Sequence, residues 1–329
     1  MRVLIYGGGA VGLGIASCLI KAGHYVDIIA RPQTVAELKA QGLLRKGLFG
    51  TYQAGPDAFG ASSTLDQLSA RPYDFILVCT KSFDSQHASE DIYEHRQLLG
   101  PNTRIVLFQN GWGNAEVFAK QFEQTVIYNA RVITGFERPR PNQVNITVHA
   151  APITIGSLFD QPTAHVETLA AAISAGGIPA QTTQAIEKDL WSKMLFNCTL
   201  NPLGAILGVP YGDLAAHPST RFLMDRIVEE IFVVLKASGL STHWQTPEAF
   251  LQAFYGQLIP DTAAHRSSML QDLQRARSTE IDALNGQVIR LAERYHIPTP
   301  YNLAIYHMVT ALEATYRSKH QTHLAGQPT

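Results

Sequence analysis

A strand-sized apolar run, Arg2–Tyr6, leads directly into Gly7-Gly8-Gly9-Ala10-Val11-Gly12, and a helical stretch, Val11–Ala22, follows and stops at Gly23. The spacing G-x-G-x-x-G means little alone, because glycine-rich turns are common. Between a strand and a helix, with a second strand at Tyr25–Ala30, it constrains the fold sharply. Gly7 permits the tight turn, Gly9 the close approach of a pyrophosphate, and Gly12 the packing of helix on strand. The loop, with Gly8, Ala10 and Val11 completing it, would turn its helix N-terminal amides toward phosphates. The other reading is a plain strand-to-helix turn.

The end of the second strand bears on which dinucleotide such a loop would take. A site for NAD usually has an acidic residue there, bonded to the ribose 2′-hydroxyl. Here the position nineteen beyond Gly12 is Arg31, and Asp27 lies too early, inside the strand. A guanidinium at the tip suits a 2′-phosphate, to which it offers two charge-assisted hydrogen bonds. The expected cofactor is therefore NADP, bound as NADPH. Lys81 and Asn110 each follow an apolar strand run, FILVC and IVLF. Carboxyl ends of strands border the ligand crevice of open α/β sheets, so both are candidate contacts, or simply loop residues.

Short buried-strand runs alternate with helical stretches through the first half, which implies βαβ units and a doubly wound sheet. From about Thr125 the runs Val126–Thr134, Val144–His149 and Ile153–Gly156 read as an antiparallel extension, the first two separated by a turn, ERPRPN. Beyond Thr183 strand signals give way to helices at Ile186–Leu200, Thr220–Ala237, Pro247–Tyr255, Ser267–Tyr295 and Asn302–Arg317. The expected architecture is a Rossmann-type α/β domain over residues 1–184 and an all-α domain over 185–329, the last eight or so residues being disordered.

Composition narrows the partners. Twenty-six basic residues against 27 acidic give a net charge of -1, so nothing advertises nucleic acid or an anionic membrane. No run reaches the about 18 apolar residues of a membrane helix, and no signal peptide is visible, which makes the cytoplasm the expectation. Cys18, Cys79 and Cys198 are scattered in apolar runs and read as buried free thiols. No cysteine–histidine cluster suggests a metal; His320 and His323 share a helical spacing but lie in a polar tail.

In WSKMLFNCTLNP, Lys193, Asn197 and Asn201 recur at i, i+4 and i+8 and therefore share one helical face. An ammonium and two amides among apolar neighbours either line a cleft or form the exposed edge of an amphipathic helix. Pro202 should end or kink that helix at Asn201. Reduction of a ketone needs a proton donor at the developing alkoxide, and Lys193 is the best candidate in this stripe. Farther on, Ser268 precedes Glu280 by twelve residues, roughly 18 Å along an unbroken helix. Either the serine stands at a helix start or break, or Glu280 serves the cofactor side; a solvated charged face is the other reading.

Taken together, GGGAVG, Arg31, Lys81, QNG at Gln109–Gly111, K-x-x-x-N-x-x-x-N-P at Lys193–Pro202, and RSSM with TEID at Arg266–Asp282 resemble the ketopantoate reductase family. The resemblance spans nearly the whole chain. It implies NADPH-dependent reduction of ketopantoate to (R)-pantoate, on the route to pantothenate and coenzyme A. A monomer or homodimer is expected, the long apolar helices of the second half offering a dimer surface. The resemblance also implies that Lys193 is the general acid, that Asn197 and Asn201 hold substrate, and that Ser268 meets its carboxylate. Glu280 would assist near Lys193 and the nicotinamide ribose, with Asn110 by the nicotinamide and Lys81 in the cofactor cleft. His265 stands where asparagine is expected, and Trp112 and Arg131 also depart from the family pattern, so another branched or aromatic 2-oxo acid is an alternative substrate. A non-catalytic NADP-binding sensor is the remaining reading, since fold does not fix function.

Overall fold

The computed structural model describes the backbone of residues 1–325 and the side chains of residues 1–320. The chain divides into two compact units, Met1–Ile186 and the residues from Glu187 onward.

The first unit contains β1 (Arg2–Tyr6), α1 (Ala10–Lys21), β2 (Tyr25–Ile29), α2 (Pro32–Gln41), β3 (Leu43–Gly47), β4 (Tyr52–Ala54), β5 (Gly60–Ser62) and β6 (Tyr73–Val78). It continues through α3 (Ser85–Glu94), β7 (Leu99–Leu107), α4 (Asn114–Phe118), β8 (Ile127–Arg131), β9 (Thr134–Arg140), β10 (Gln143–His149), β11 (Ile153–Gly156), α5 (Glu167–Ala175) and β12 (Ala180–Thr182). One eight-stranded sheet runs β5-β2-β1-β6-β7-β8-β11-β12. Its first six strands are parallel, in the Rossmann order, and β11 joins antiparallel to β8. Residues of β1 feed cores on both faces, Val3 and Ile5 on one side and Leu4 and Tyr6 on the other. A strand covered on both sides needs the continuous apolar run the sequence provides.

The expected antiparallel extension is only partly of that form. Of the three runs, the third is β11, while the second, β10, belongs to a separate four-stranded sheet ordered β4-β3-β10-β9. The first run splits after Arg131, its start completing the main sheet as β8 and its end opening β9. ERPRPN is not simply a turn, because β9 runs through it to Arg140. Pro139 is tolerated there since β9 is an edge strand, where a missing N–H breaks no ladder.

The second unit is helical, and there is no strand among its described residues. Its elements are α6 (Ile186–Leu207, beginning at the boundary residue), α7 (Tyr211–Ala216), α8 (Pro218–Ser238), α9 (Pro247–Ala253), α10 (Ser268–Gln274), α11 (Asn285–Arg294) and α12 (Pro300–Ala325). Two expectations are corrected here. The helix does not end at Asn201: α6 continues with Pro202 inside it. The Cys198 carbonyl, which Pro202 has no N–H to satisfy, accepts instead from Asn285 Nδ2 at 3.0 Å. Nor is Ser267–Tyr295 one helix. Ser267 caps α10 by accepting from the Leu270 amide at 3.0 Å. Ala276, at φ 50°, then takes the left-handed turn that closes α10. The chain end expected to be disordered is helical to Ala325, and the remainder, like the His323 side chain, lies outside the described residues.

Candidate functional site

The loop between β1 and α1 is anchored where its amides meet the end of β2. Gly7 and Gly8 both donate to the Ile29 carbonyl, at 3.0 and 2.8 Å. Each glycine of the motif then answers to a different constraint. Gly7 sits at φ +115°, and a Cβ there would lie 2.7 Å from the Thr80 nitrogen, so its place against the end of β6 admits no side chain. A Cβ on Gly12 would stand 2.1 Å from the Gly7 oxygen. Gly9 is different: its nearest neighbour would be the Cys79 oxygen at 4.0 Å, so its outer side is open. The first bond of α1 is Leu13 to Gly9, which leaves the amides of Ala10, Val11 and Gly12 ahead of the helical ladder. A loop open at one glycine, with helix amides beside it, fits a pyrophosphate.

The neighbouring strand ends supply the flanks. Arg31 is exposed and forms the N-cap position of α2, one residue past Ala30. Asp27 is buried and accepts from the Tyr73 hydroxyl at 2.6 Å and from Arg2 at 3.4 Å, which commits it to the strand interior. Lys81, half-buried, follows β6, and Asn110, also half-buried, follows β7. Gln109, which the sequence marks only as part of the QNG motif and without a role of its own, joins these two loops. Its amide donates to Thr80 Oγ1 at 3.2 Å, to the Lys81 carbonyl at 3.3 Å and to Ser85 Oγ at 2.8 Å. Asn114 Nδ2 holds the Asn110 carbonyl at 3.0 Å. Trp112 is buried, and Arg131 is bonded to Thr154 Oγ1 at 3.2 Å within the sheet.

In the second unit α6 carries Lys193, Asn197 and Asn201 on one face, and because the helix is continuous all three stay in register. Lys193 and Asn197 are half-buried and Asn201 is buried, while Trp191, Met194, Leu195 and Cys198 pack inward. The Tyr211 hydroxyl donates to Asn201 Oδ1 at 2.5 Å. Burial pushes that phenol's pKa up, so it keeps its proton. With its oxygen so engaged, Asn201 is left to present its Nδ2 as a donor. Tyr211 was not anticipated, and no local signal marks it.

Two distant segments are tied to the same helix. Tyr211 donates its amide to the His265 carbonyl at 3.1 Å, and its ring lies 5.2 Å from the His265 imidazole. That fixes the stretch leading to Ser267 and the exposed Ser268, which is the first residue of α10. The bond from Asn285 to Cys198 fixes the second segment, five residues after the buried Glu280. Ser268 therefore stands at a helix start, and α10 ends at Gln274, before Glu280, so the straight-helix separation between them does not apply.

Cys18, Cys79 and Cys198 carry no disulfide, and burial pushes the Cys18 and Cys198 thiols up. Among the described residues no group of three histidine, cysteine or acidic side chains could hold a metal ion, and no helix is long and apolar enough to cross a membrane.

Comparison with known proteins bears on both units. Residues 3–159 match the family "Ketopantoate reductase PanE/ApbA", and residues 185–313 its C-terminal counterpart. A 2-dehydropantoate 2-reductase of Aquifex aeolicus is 33% identical over 316 residues, covering 95% of this chain and 97% of the relative. Among solved structures, a PanE/ApbA family ketopantoate reductase from Ralstonia eutropha JMP134 matches with a TM-score of 0.83 at 31% identity, covering 96% of this chain and 100% of that one. A D-mandelate dehydrogenase, solved with NADH and anilino(oxo)acetate, matches with a TM-score of 0.85 at 25% identity, covering 96% and 99%.

Proposed function

Because this chain belongs to the ketopantoate reductase family, we propose that it reduces ketopantoate (2-dehydropantoate) to (R)-pantoate with NADPH, as a step toward pantothenate and coenzyme A. The observation that carries the reading is a pairing within one chain: a phosphate loop open at Gly9, and a helix face bearing Lys193, Asn197 and Asn201.

The bound dinucleotide supplies a hydride to the 2-keto carbon. The rest of the work falls to the chain's own side chains. The α1 amides and the glycine loop take the pyrophosphate, Arg31 takes the 2′-phosphate, and Lys81 and Asn110 hold the cofactor from the ends of β6 and β7. Asn110 also meets the substrate. Lys193 Nζ gives its proton to the oxygen that becomes the alcohol, which neutralises the developing alkoxide. Asn197 and the Nδ2 of Asn201 donate to substrate oxygens, and Ser268 meets the carboxylate. Glu280 serves as the partner of Lys193 and the nicotinamide ribose. In this assignment the first unit holds the cofactor, and the second holds and protonates the acid.

A second reading keeps the chemistry and changes the acid to an aromatic or bulkier branched 2-oxo acid. The match to a D-mandelate dehydrogenase favours it, as does the aromatic setting of the stripe. Phe196, beside Asn197, packs edge-on against Tyr211 and Phe254 at 5.7 and 6.0 Å.

Steady-state oxidation of NADPH and NADH against ketopantoate and a panel of 2-oxo acids separates the readings. Efficient turnover of another acid with none on ketopantoate would overturn the first. Lys193→Ala should lower kcat about a hundredfold or more while NADPH still binds, since a positioned general acid contributes on that order. Unchanged turnover removes Lys193 from the role.

A further inference from the structure

The small sheet places a second guanidinium beside the phosphate loop. Arg138 lies on β9, and its Nη1 donates to the Gly8 carbonyl at 3.2 Å while its Nη2 donates to Thr34 Oγ1 at 2.6 Å. Those two acceptors belong to the two elements that would meet the adenosine end of a dinucleotide. Gly8 is in the loop itself, packed so closely on Ala30 that a Cβ would lie 2.6 Å from that residue's own Cβ. Thr34 is in the first turn of α2, and its amide donates to the Arg31 carbonyl at 2.8 Å. Arg138, Gly8, Ala30, Arg31 and Thr34 thus share one corner, at the tip of β2.

The approach of β9 is built in. Phe136, two residues earlier and so on the same face of the strand, occupies the space beside Gly14 in α1, where a Cβ would stand 2.3 Å from its ring. Two strand residues span roughly 7 Å, enough to carry the same face from the body of α1 to the loop at its start. Glycine at position 14 lets Phe136 seat, and that seating delivers Arg138.

We propose that Arg138 is a specificity-determining residue for the 2′-phosphate. It ties Arg31's helix to the phosphate loop and adds its charge to the corner where that phosphate would lie. The inference rests on the NADPH reading above. A fixed cation at this corner favours the cofactor that carries the extra dianion and does little for the one that ends in a hydroxyl.

Binding of NADPH and NADH to the parent protein, Arg31→Gln, Arg138→Gln and Arg138→Lys, measured by titration calorimetry, tests it. Arg138→Gln should weaken NADPH by about tenfold or more and NADH by less than about threefold, as loss of a charge-assisted contact would. Arg138→Lys, which keeps the charge but loses the planar fork that reaches both Gly8 and Thr34, should keep an NADPH:NADH ratio between those of the parent and Arg138→Gln. NADH affinity reports whether each variant is folded. An equal loss for both cofactors makes Arg138 a structural clamp and overturns the proposal, as does an unchanged ratio in Arg138→Gln, or an Arg138→Lys no more selective than Arg138→Gln. If Arg31→Gln loses selectivity and Arg138→Gln keeps it, this inference alone fails. A parent protein without preference for NADPH sinks the cofactor reading and the inference with it.

Discussion

At the scale of single residues, the glycines of the phosphate loop differ in what an added methyl group would meet. At Gly12 it would collide with the Gly7 backbone oxygen at 2.1 Å, and backbone has no rotamer to retreat into. Gly12→Ala should therefore cost about 1–3 kcal/mol of stability, or more, with cofactor binding lost alongside. Gly9 has extended backbone, which any residue adopts, and space outside it. Gly9→Ala should leave stability within about 0.5 kcal/mol and still weaken NADPH by about tenfold or more, because the methyl occupies the pyrophosphate's approach. Denaturant unfolding paired with cofactor titration separates the two variants; a destabilised Gly9→Ala, or one that binds normally, contradicts the assignment. The three glycines could be picked out from spacing alone. Tyr211 could not, nor could the role of Gln109 within QNG, because their significance lies in contacts with Asn201 and with the Lys81 loop, which no local pattern encodes.

Secondary-structure elements show where local rules were overruled. Proline normally ends or kinks a helix, and the expectation that α6 ends or kinks at Asn201 follows from that rule. The helix does not end there because the main penalty, an orphaned carbonyl, is met from 87 residues away by Asn285. Asn285 is fully buried and also donates to Asn302 Oδ1 at 3.0 Å; Asn302 in turn donates to Glu230 Oε2 at 2.8 Å. A polar chain thus pins α11 and α12 to the helix that bears Lys193. Asn285→Ala should destabilise the protein by about 1–3 kcal/mol, since it leaves the Cys198 carbonyl buried without its partner. Adding Pro202→Ala restores an N–H to that carbonyl and should recover about 1 kcal/mol, more than Pro202→Ala gains in the parent background. Strictly additive effects in that double-mutant cycle would mean the two residues do not serve one carbonyl. The same kind of overruling hid β9: a segment with two prolines reads as a turn, and only its position at a sheet edge lets it extend and carry Arg138.

For the molecule as a whole, the division into an α/β half and a helical half was visible as a change of hydrophobic period, from short buried runs to long amphipathic ones. The second sheet was not, because β3 and β4 are short and largely polar, and β3 finds its other partner, β10, about a hundred residues along the chain. A net charge of -1 likewise conceals how charge is placed, with Arg31 and Arg138 near one loop of the first unit and Lys193 on a helix of the second. That placement makes the proposed division of labour measurable. A ligand that binds only the folded chain stabilises it by about 2.7 kcal/mol at a hundred times its Kd, and local protection follows the contacts it makes. With NADPH alone, hydrogen exchange should slow most at the amides of Gly7–Gly12 and at the strand-end loops carrying Lys81 and Asn110. With a 2-oxo acid added, further slowing should appear in α6 around Asn197 and Asn201 and at the start of α10. In the Gly9→Ala variant the first set should lose its protection while the resting exchange of α6 stays as it was. Protection by NADPH that falls mainly on the helical unit would reverse the assignment of cofactor to the first unit and acid to the second.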